Sequence, residues 1–143
     1  MNTQNYTSTT DIRLSAKLYY GLPAIITNDG VSTDDNGRKI IKAGTPVGGV
    51  TSFLDDETAK LSLYTAPAAS SGDSGSGSGS TSTTTTPTVQ GIVLHDTDVT
   101  AGDTSTTVMI LGIVGLKMVD DETQALLTAD IQAALPHILF PNR

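Results

Sequence analysis

The chain has 143 residues, 37% of them hydrophobic and only 4% aromatic, with no Trp. It can bury one modest core, which self-association or docking on a larger surface is expected to supplement. The formal net charge is −7. With no Lys/Arg cluster to displace phosphate counterions, nucleic acid and anionic membranes are excluded as partners, and the lack of Cys excludes disulfides, thiolate metal sites and thiol nucleophiles.

Residues 1–11 are polar, without periodicity, and lack the basic and apolar regions of a secretory leader. They are expected to form an extended N-terminal arm. From Ile12 the pattern becomes strand-like: Ile12, Leu14, Ala16, Leu18 and Tyr20 alternate with Arg13, Ser15, Lys17 and Tyr19. Gly21 and Pro23 predict a turn, Ala24–Ile26 a short strand, and Asn28-Asp29-Gly30 a second turn. Asp35-Asn36-Gly37 suits a turn needing positive φ. Lys39–Lys42 then reads as a strand, Ala43–Pro46 as a turn, and Val47–Phe53 and Thr58–Tyr64 as further strands.

Residues 68–88 are Ser-, Gly- and Thr-rich, with no large apolar side chain between Ala69 and Val89 to offset the entropy of ordering them. They are expected to be a flexible loop or tether. Beyond them Gly91–Leu94 predicts a strand, and Val99 stands alone in a polar turn region. Val108–Leu116, apolar apart from its glycines, predicts a strand buried on both faces. It is far too short to span a bilayer.

One short helix is predicted near the C-terminus. Thr128 is its N-cap, Asp130 lies in its first turn, Ile131 and Leu135 share one face, and Pro136 ends it. Ile138–Phe140 reads as a final edge strand. Frequent short strands with turn signals make the fold class mainly β, a β-rich α+β module built as a small sandwich or barrel. Residues 12–67 and 89–143 form its single domain, between the arm and around the tether.

Catalytic chemistry finds no footing in the motifs. Asp34-Asp35-Asn36-Gly37 resembles a calcium loop, but the frame set by Gly37 puts Ser32 and Ala43 where acids are required. Asp55-Asp56-Glu57 and Asp120-Asp121-Glu122 read as helix starts or solvated loops. His95-Asp96-Thr97-Asp98 could offer a His and two carboxylates to a metal, yet a polar turn whose Asp side chains bond backbone amides accounts for it better. No nucleophile elbow, phosphate-binding loop or dinucleotide fingerprint occurs. Neither a cofactor nor an enzymatic activity is expected.

Three stretches carry a resemblance: Ile40–Gly49 (IIKAGTPVGG), Gly91–Asp103 (GIVLHDTDVTAGD), and the ending in which Ala129–Leu135 is followed by Pro136 and Ile138–Phe140. In that order they resemble head decoration proteins of tailed bacteriophages, also called head fibre proteins; the Ser/Gly/Thr tract departs from that pattern. The resemblance implies a structural virion protein on the outer capsid surface that stabilises the expanded head. Its partner is the major capsid protein, and it sits as a homotrimer at three-fold and quasi-three-fold positions. The β propensity of the arm then makes Tyr6, Thr7, Thr9, Thr10, Ile12 and Leu14 the candidate capsid contacts, through strand addition to an exposed sheet edge. An alternative is a capsid-displayed adhesin binding host-surface glycans, for which Tyr19, Tyr20 and Tyr64 are the candidate stacking residues. A metal-dependent hydrolase around His95 is a distant third.

Overall fold

A computed structural model describes residues 11–65 and 87–142. The expected arm, residues 1–10, and nearly all of the expected tether, residues 68–86, lie outside the described residues. The fold is mainly β, 38% strand against 14% helix, and of the two expected architectures it is the barrel.

Five strands make that barrel: β1 (Tyr19–Ile26), β3 (Pro46–Gly49), β4 (Lys60–Leu63), β5 (Thr88–Val93) and β7 (Thr104–Ile113). They run in the order β1-β4-β3-β5-β7, and β7 pairs back onto β1 to close the ring. All pairings in the ring are antiparallel except β1 with β4, where Ile25 faces Lys60 and Ile26 faces Leu61 in parallel. A separate ribbon of β2 (Ile40–Ile41) and β6 (Thr97–Asp98) stands beside it. Two short helices, α1 (Asp121–Leu126) and α2 (Ala129–Ala134), precede β8 (Ile138–Leu139), which adds to β7 in parallel.

Alternation along the strands sorts side chains into two cores. Ala24, Ile26, Val47, Leu61, Val93 and Val108 form the inner core, which Val31, Ile41, Phe53 and Val99 complete. Ile92, Leu94 and Met109 belong to an outer core, where the barrel wall meets Val119, Leu127, Ile131, Leu135 and Ile138 of the C-terminal segment. In β5, Ile92 and Val93 are both fully buried yet serve different cores. This is the physical reason why strands of a two-sided wall read as continuous apolar runs.

So small a barrel forces its strands together, and two glycines allow it. A Cβ at Gly48 would overlap the Thr88 carbonyl oxygen, and one at Gly91 would lie 2.7 Å from the Met109 carbonyl oxygen. Register slips accompany the bends. Val47 faces Gly91 and Gly48 faces Val89, which leaves Gln90 as an extra residue on β5.

Several expectations are corrected. Residues 12–20 are not one alternating strand. Arg13 bridges Val114 and Tyr19 pairs with Gly112, so Leu14–Leu18 oppose the single residue Ile113 and must loop outward. Gly21 and Pro23 do not turn the chain; they lie inside β1, held by its long pairing with β7. Among the described residues, that strand has a partner on one side only from Tyr19 to Ala24, the edge position that tolerates proline. Val99 does not stand alone in a polar turn but is fully buried, because its amide bonds the Lys39 carbonyl at 2.8 Å and so draws it over the barrel. The final edge strand covers Ile138 and Leu139 but not Phe140. The helix from Ala129 forms as expected with Thr128 at its N-cap, although the Thr128 side chain makes no capping bond. A second helix, α1, precedes it, with Asp121 and Glu122 in the first turn, where the dipole favours them.

Leu61 is fully buried in the inner core, so Leu61→Ala should destabilise the fold by about 2–5 kcal/mol through lost burial and a residual cavity. Leu54→Ala, at a side chain that is mostly exposed, should change stability by less than about 0.5 kcal/mol. Urea unfolding of the two variants measures both.

Candidate functional site

The exposed large hydrophobic side chains are not scattered evenly. Tyr20 (57% exposed) pairs with Leu111, and Leu139 (60% exposed) pairs with Ile113. The exposed Leu14 donates its amide to the Ile113 carbonyl at 3.0 Å. The carbonyl of Leu18, also exposed, lies against Gly112. All of these meet the second half of β7, so exposed apolar residues gather around that end of the strand. Isolated exposed apolar residues need no explanation, whereas a gathering of them marks an interaction surface.

Beside this end lies an open groove of about 330 Å³, walled by Tyr20, Leu54, Val89, Leu111, Leu135 and Pro136. Gln90, the extra residue on β5, shapes it. Its side-chain oxygen accepts from the Phe53 amide at 2.9 Å, and its nitrogen donates to the carbonyls of Gly49 (3.1 Å) and Thr51 (2.9 Å). One side chain thereby ties down the loop that carries Leu54. Gln90→Ala removes all three bonds and should cost about 1–3 kcal/mol, read from the urea midpoint.

The first described residues are clipped to the same end. The Asp11 carboxylate accepts from the Arg13 backbone amide (3.0 Å), Nε (2.9 Å) and Nη2 (2.9 Å). The Arg13 guanidinium lies 4.4 Å from the centre of the Tyr19 ring, a cation–π arrangement. Between them, Ile12 is buried in the outer core and its carbonyl accepts from the Gly115 amide. The side-chain bond from Arg13 holds the Asp11 carboxyl below the usual carboxylate range. A lowered carboxylate stabilises the fold above its unfolded pKa and ceases to do so as pH falls through the folded value. Wild type should therefore exceed Asp11→Asn in stability at neutral pH by less than about 1 kcal/mol, given solvent screening of this half-exposed pair. The difference should vanish in acid, and unfolding midpoints taken across that pH range would show it.

Of the candidate capsid contacts, Tyr6, Thr7, Thr9 and Thr10 lie outside the described residues. Ile12 is corrected: at 1% exposure it anchors the chain to the body and offers no side chain to a partner. Leu14 does face solvent. Leu111 and Leu139 were not among the candidates, because nothing in their local sequence separates them from core residues.

The polar clusters are structural staples. Asp96 Oδ1 accepts from the Ala43 amide at 2.8 Å, and Lys42 Nζ lies 3.7 Å from Oδ2. Asp98 Oδ1 accepts from the Thr100 amide at 2.9 Å, and the buried Thr97 hydroxyl bonds that of Thr106 at 2.8 Å. Asp34 Oδ1 takes the amides of Asn36 and Arg38. Among the described residues, no three His, Asp or Glu side chains converge as a metal-holding group. The tyrosines proposed for sugar stacking have different surroundings: Tyr19 under Arg13, Tyr20 in the groove, Tyr64 packed on the outer core.

No protein-family model, curated protein or solved structure matches this chain.

Proposed function

We propose that this chain is a structural virion protein that binds the outer surface of a tailed-phage capsid and stabilises the expanded head. The observation that carries this reading is the apolar end of the barrel. Leu14, Leu18, Tyr20, Leu111 and Leu139 are exposed around the point where Ile12 and the Asp11–Arg13 clip anchor the N-terminal segment. A body contact and an arm contact can thus engage one partner surface together. The partner is the major capsid protein, and the chain sits on it as a homotrimer at three-fold and quasi-three-fold positions.

The resembling stretches give further support, because they pack together. The Gly44 amide bonds the Val93 carbonyl at 2.7 Å, and the Val93 amide bonds the Thr45 carbonyl at 3.0 Å. Ala43, Ile92, Leu94, Ile131, Leu135 and Ile138, drawn from all three stretches, share the outer core. The resemblance therefore falls on one structural block.

Burying an exposed Leu is worth up to about 1.5–3 kcal/mol, from which the costs of association are subtracted. Single sites are then weak, and joining subunits multiplies the gain. An aspartate set into such a contact would be desolvated without a partner. The double variant Leu14→Asp/Leu139→Asp should stay folded and lose more than about tenfold in affinity for expanded capsids, read by co-sedimentation. Removing residues 2–10 should also weaken binding and leave the circular dichroism spectrum unchanged. Wild-type binding by both variants would rule out this docking surface, and absence of wild-type binding to the capsids of its own phage would end the proposal.

A further inference from the structure

Asn36 is the one asparagine of the chain that is followed by glycine. It stands at the tip of a tight turn whose ends, Thr33 and Lys39, are bridge partners, and Asp35, Asn36 and Gly37 are all exposed there. A glycine in the following position leaves its backbone nitrogen unshielded by a Cβ and free to approach the asparagine side chain. We propose that Asn36–Gly37 is a site of spontaneous deamidation whose rate is held down by Asp34.

The chemistry needs only water. The Gly37 nitrogen, after losing its proton to solvent base, attacks Asn36 Cγ. A bond forms between Gly37 N and Cγ, the Cγ–Nδ2 bond breaks, and ammonia leaves with a proton from solvent. Water then adds to either carbonyl of the resulting succinimide ring, and the chain emerges with aspartate or isoaspartate at position 36.

Asp34 opposes the first step in two ways. Its backbone carbonyl accepts from the Gly37 amide at 3.0 Å, which engages the very proton that must leave. Its Oδ1 accepts from the Asn36 amide at 2.9 Å and the Arg38 amide at 2.8 Å, pinning the backbone on both sides of the reacting pair. Gly37 sits at φ 77°, a conformation that glycine adopts without strain, so the turn is relaxed as it stands. Reaction must proceed from a locally opened turn, and the Asp34 bonds set how often it opens. The turn also borders an open cleft of about 590 Å³, where Asp34 and Glu122 are balanced by Arg38 and Lys42. Deamidation adds a carboxylate beside that balanced set, and isoaspartate also lengthens the backbone at the turn tip. The protein thereby acquires an age-dependent negative charge at one defined place.

The test incubates the full chain at mildly alkaline pH and follows the peptide containing Asn36 by mass spectrometry, with an enzymatic isoaspartate assay alongside. Wild type is compared in native buffer and in urea, next to native Asp34→Ala and a non-reacting Asn36→Gln control. Native wild type should react at position 36 ahead of Asn2, Asn5, Asn28 and Asn142, and more slowly than in urea. Native Asp34→Ala should react at least about fivefold faster than native wild type, the factor expected from even one lost hydrogen bond. Its rate in urea should equal that of wild type, which separates loss of the latch from any change in intrinsic reactivity. Equal rates for native wild type and native Asp34→Ala would overturn the latch. A native wild-type rate equal to that in urea would do the same, and reaction confined to other asparagines would overturn the site.

Discussion

Closure of the ring by β1 and β7 is the constraint on which the rest of the structure depends. Those two strands pair from Tyr19–Gly112 to Ile26–Thr104, the longest pairing among the described residues. Closing five strands removes much of the open sheet edge that a flat sheet would expose, leaving the free side of Tyr19–Ala24 among the described residues. It also leaves an interior so narrow that small residues must line the closest approaches, as Gly48 and Gly91 do. With few aromatic residues available, the inner core is filled mainly by Ile, Leu and Val, whose branched side chains suit a tight lumen.

The barrel wall is apolar on both faces, and this dictates the C-terminal half. Ile92, Leu94 and Met109 point away from the lumen and would be left in water without cover. The segment after β7 supplies it: α1, α2 and β8 fold back so that Leu127, Ile131, Leu135 and Ile138 close the outer core. The cover stops short of one end. There Leu111, Leu139, Tyr20 and Leu14 stay exposed beside the groove, and the chain coming from the N-terminus is clipped to the same region by Asp11 and Arg13. Fold completion and the uncovered apolar end are thus two parts of the same apolar wall.

The acidic and amide side chains that invite a catalytic interpretation serve the backbone. Asp34, Asp56, Asp96 and Asp98 each accept from main-chain amides within their own turn or across to a neighbouring one. Gln90 holds the loop from Gly49 to Phe53 by accepting from the Phe53 amide and donating to the Gly49 and Thr51 carbonyls. A protein with short strands has many connections, and each connection has amides that no ladder satisfies. Carboxylates in the turns meet that need and keep the surface acidic.

Residues with strong local preferences were readable without coordinates. The turns at Gly30, Gly37 and Gly44 carry positive φ, as their Asn, Asp and Gly signals indicate. The strands around Ile40–Ile41, Leu61–Leu63 and Ile92–Val93, and the helix bounded by Thr128 and Pro136, follow from period and punctuation. What tertiary structure decided is everything that depends on pairing at a distance. The alternation of Ile12 to Tyr20 is a sound strand pattern, yet only Ile12 is buried, because β7 offers a single residue opposite five and expels the others. Gly21 and Pro23 are turn formers that a long partner strand overrides. Val99 looks solvated in its polar surroundings, but a bond to Lys39 carries it into the inner core. The exposure of Leu111 and Leu139 was equally invisible, since a leucine in a strand carries no sign of whether the last layer of the fold will cover it. Local sequence determines which conformations are cheap for each segment; which face each segment buries is set by partners far along the chain.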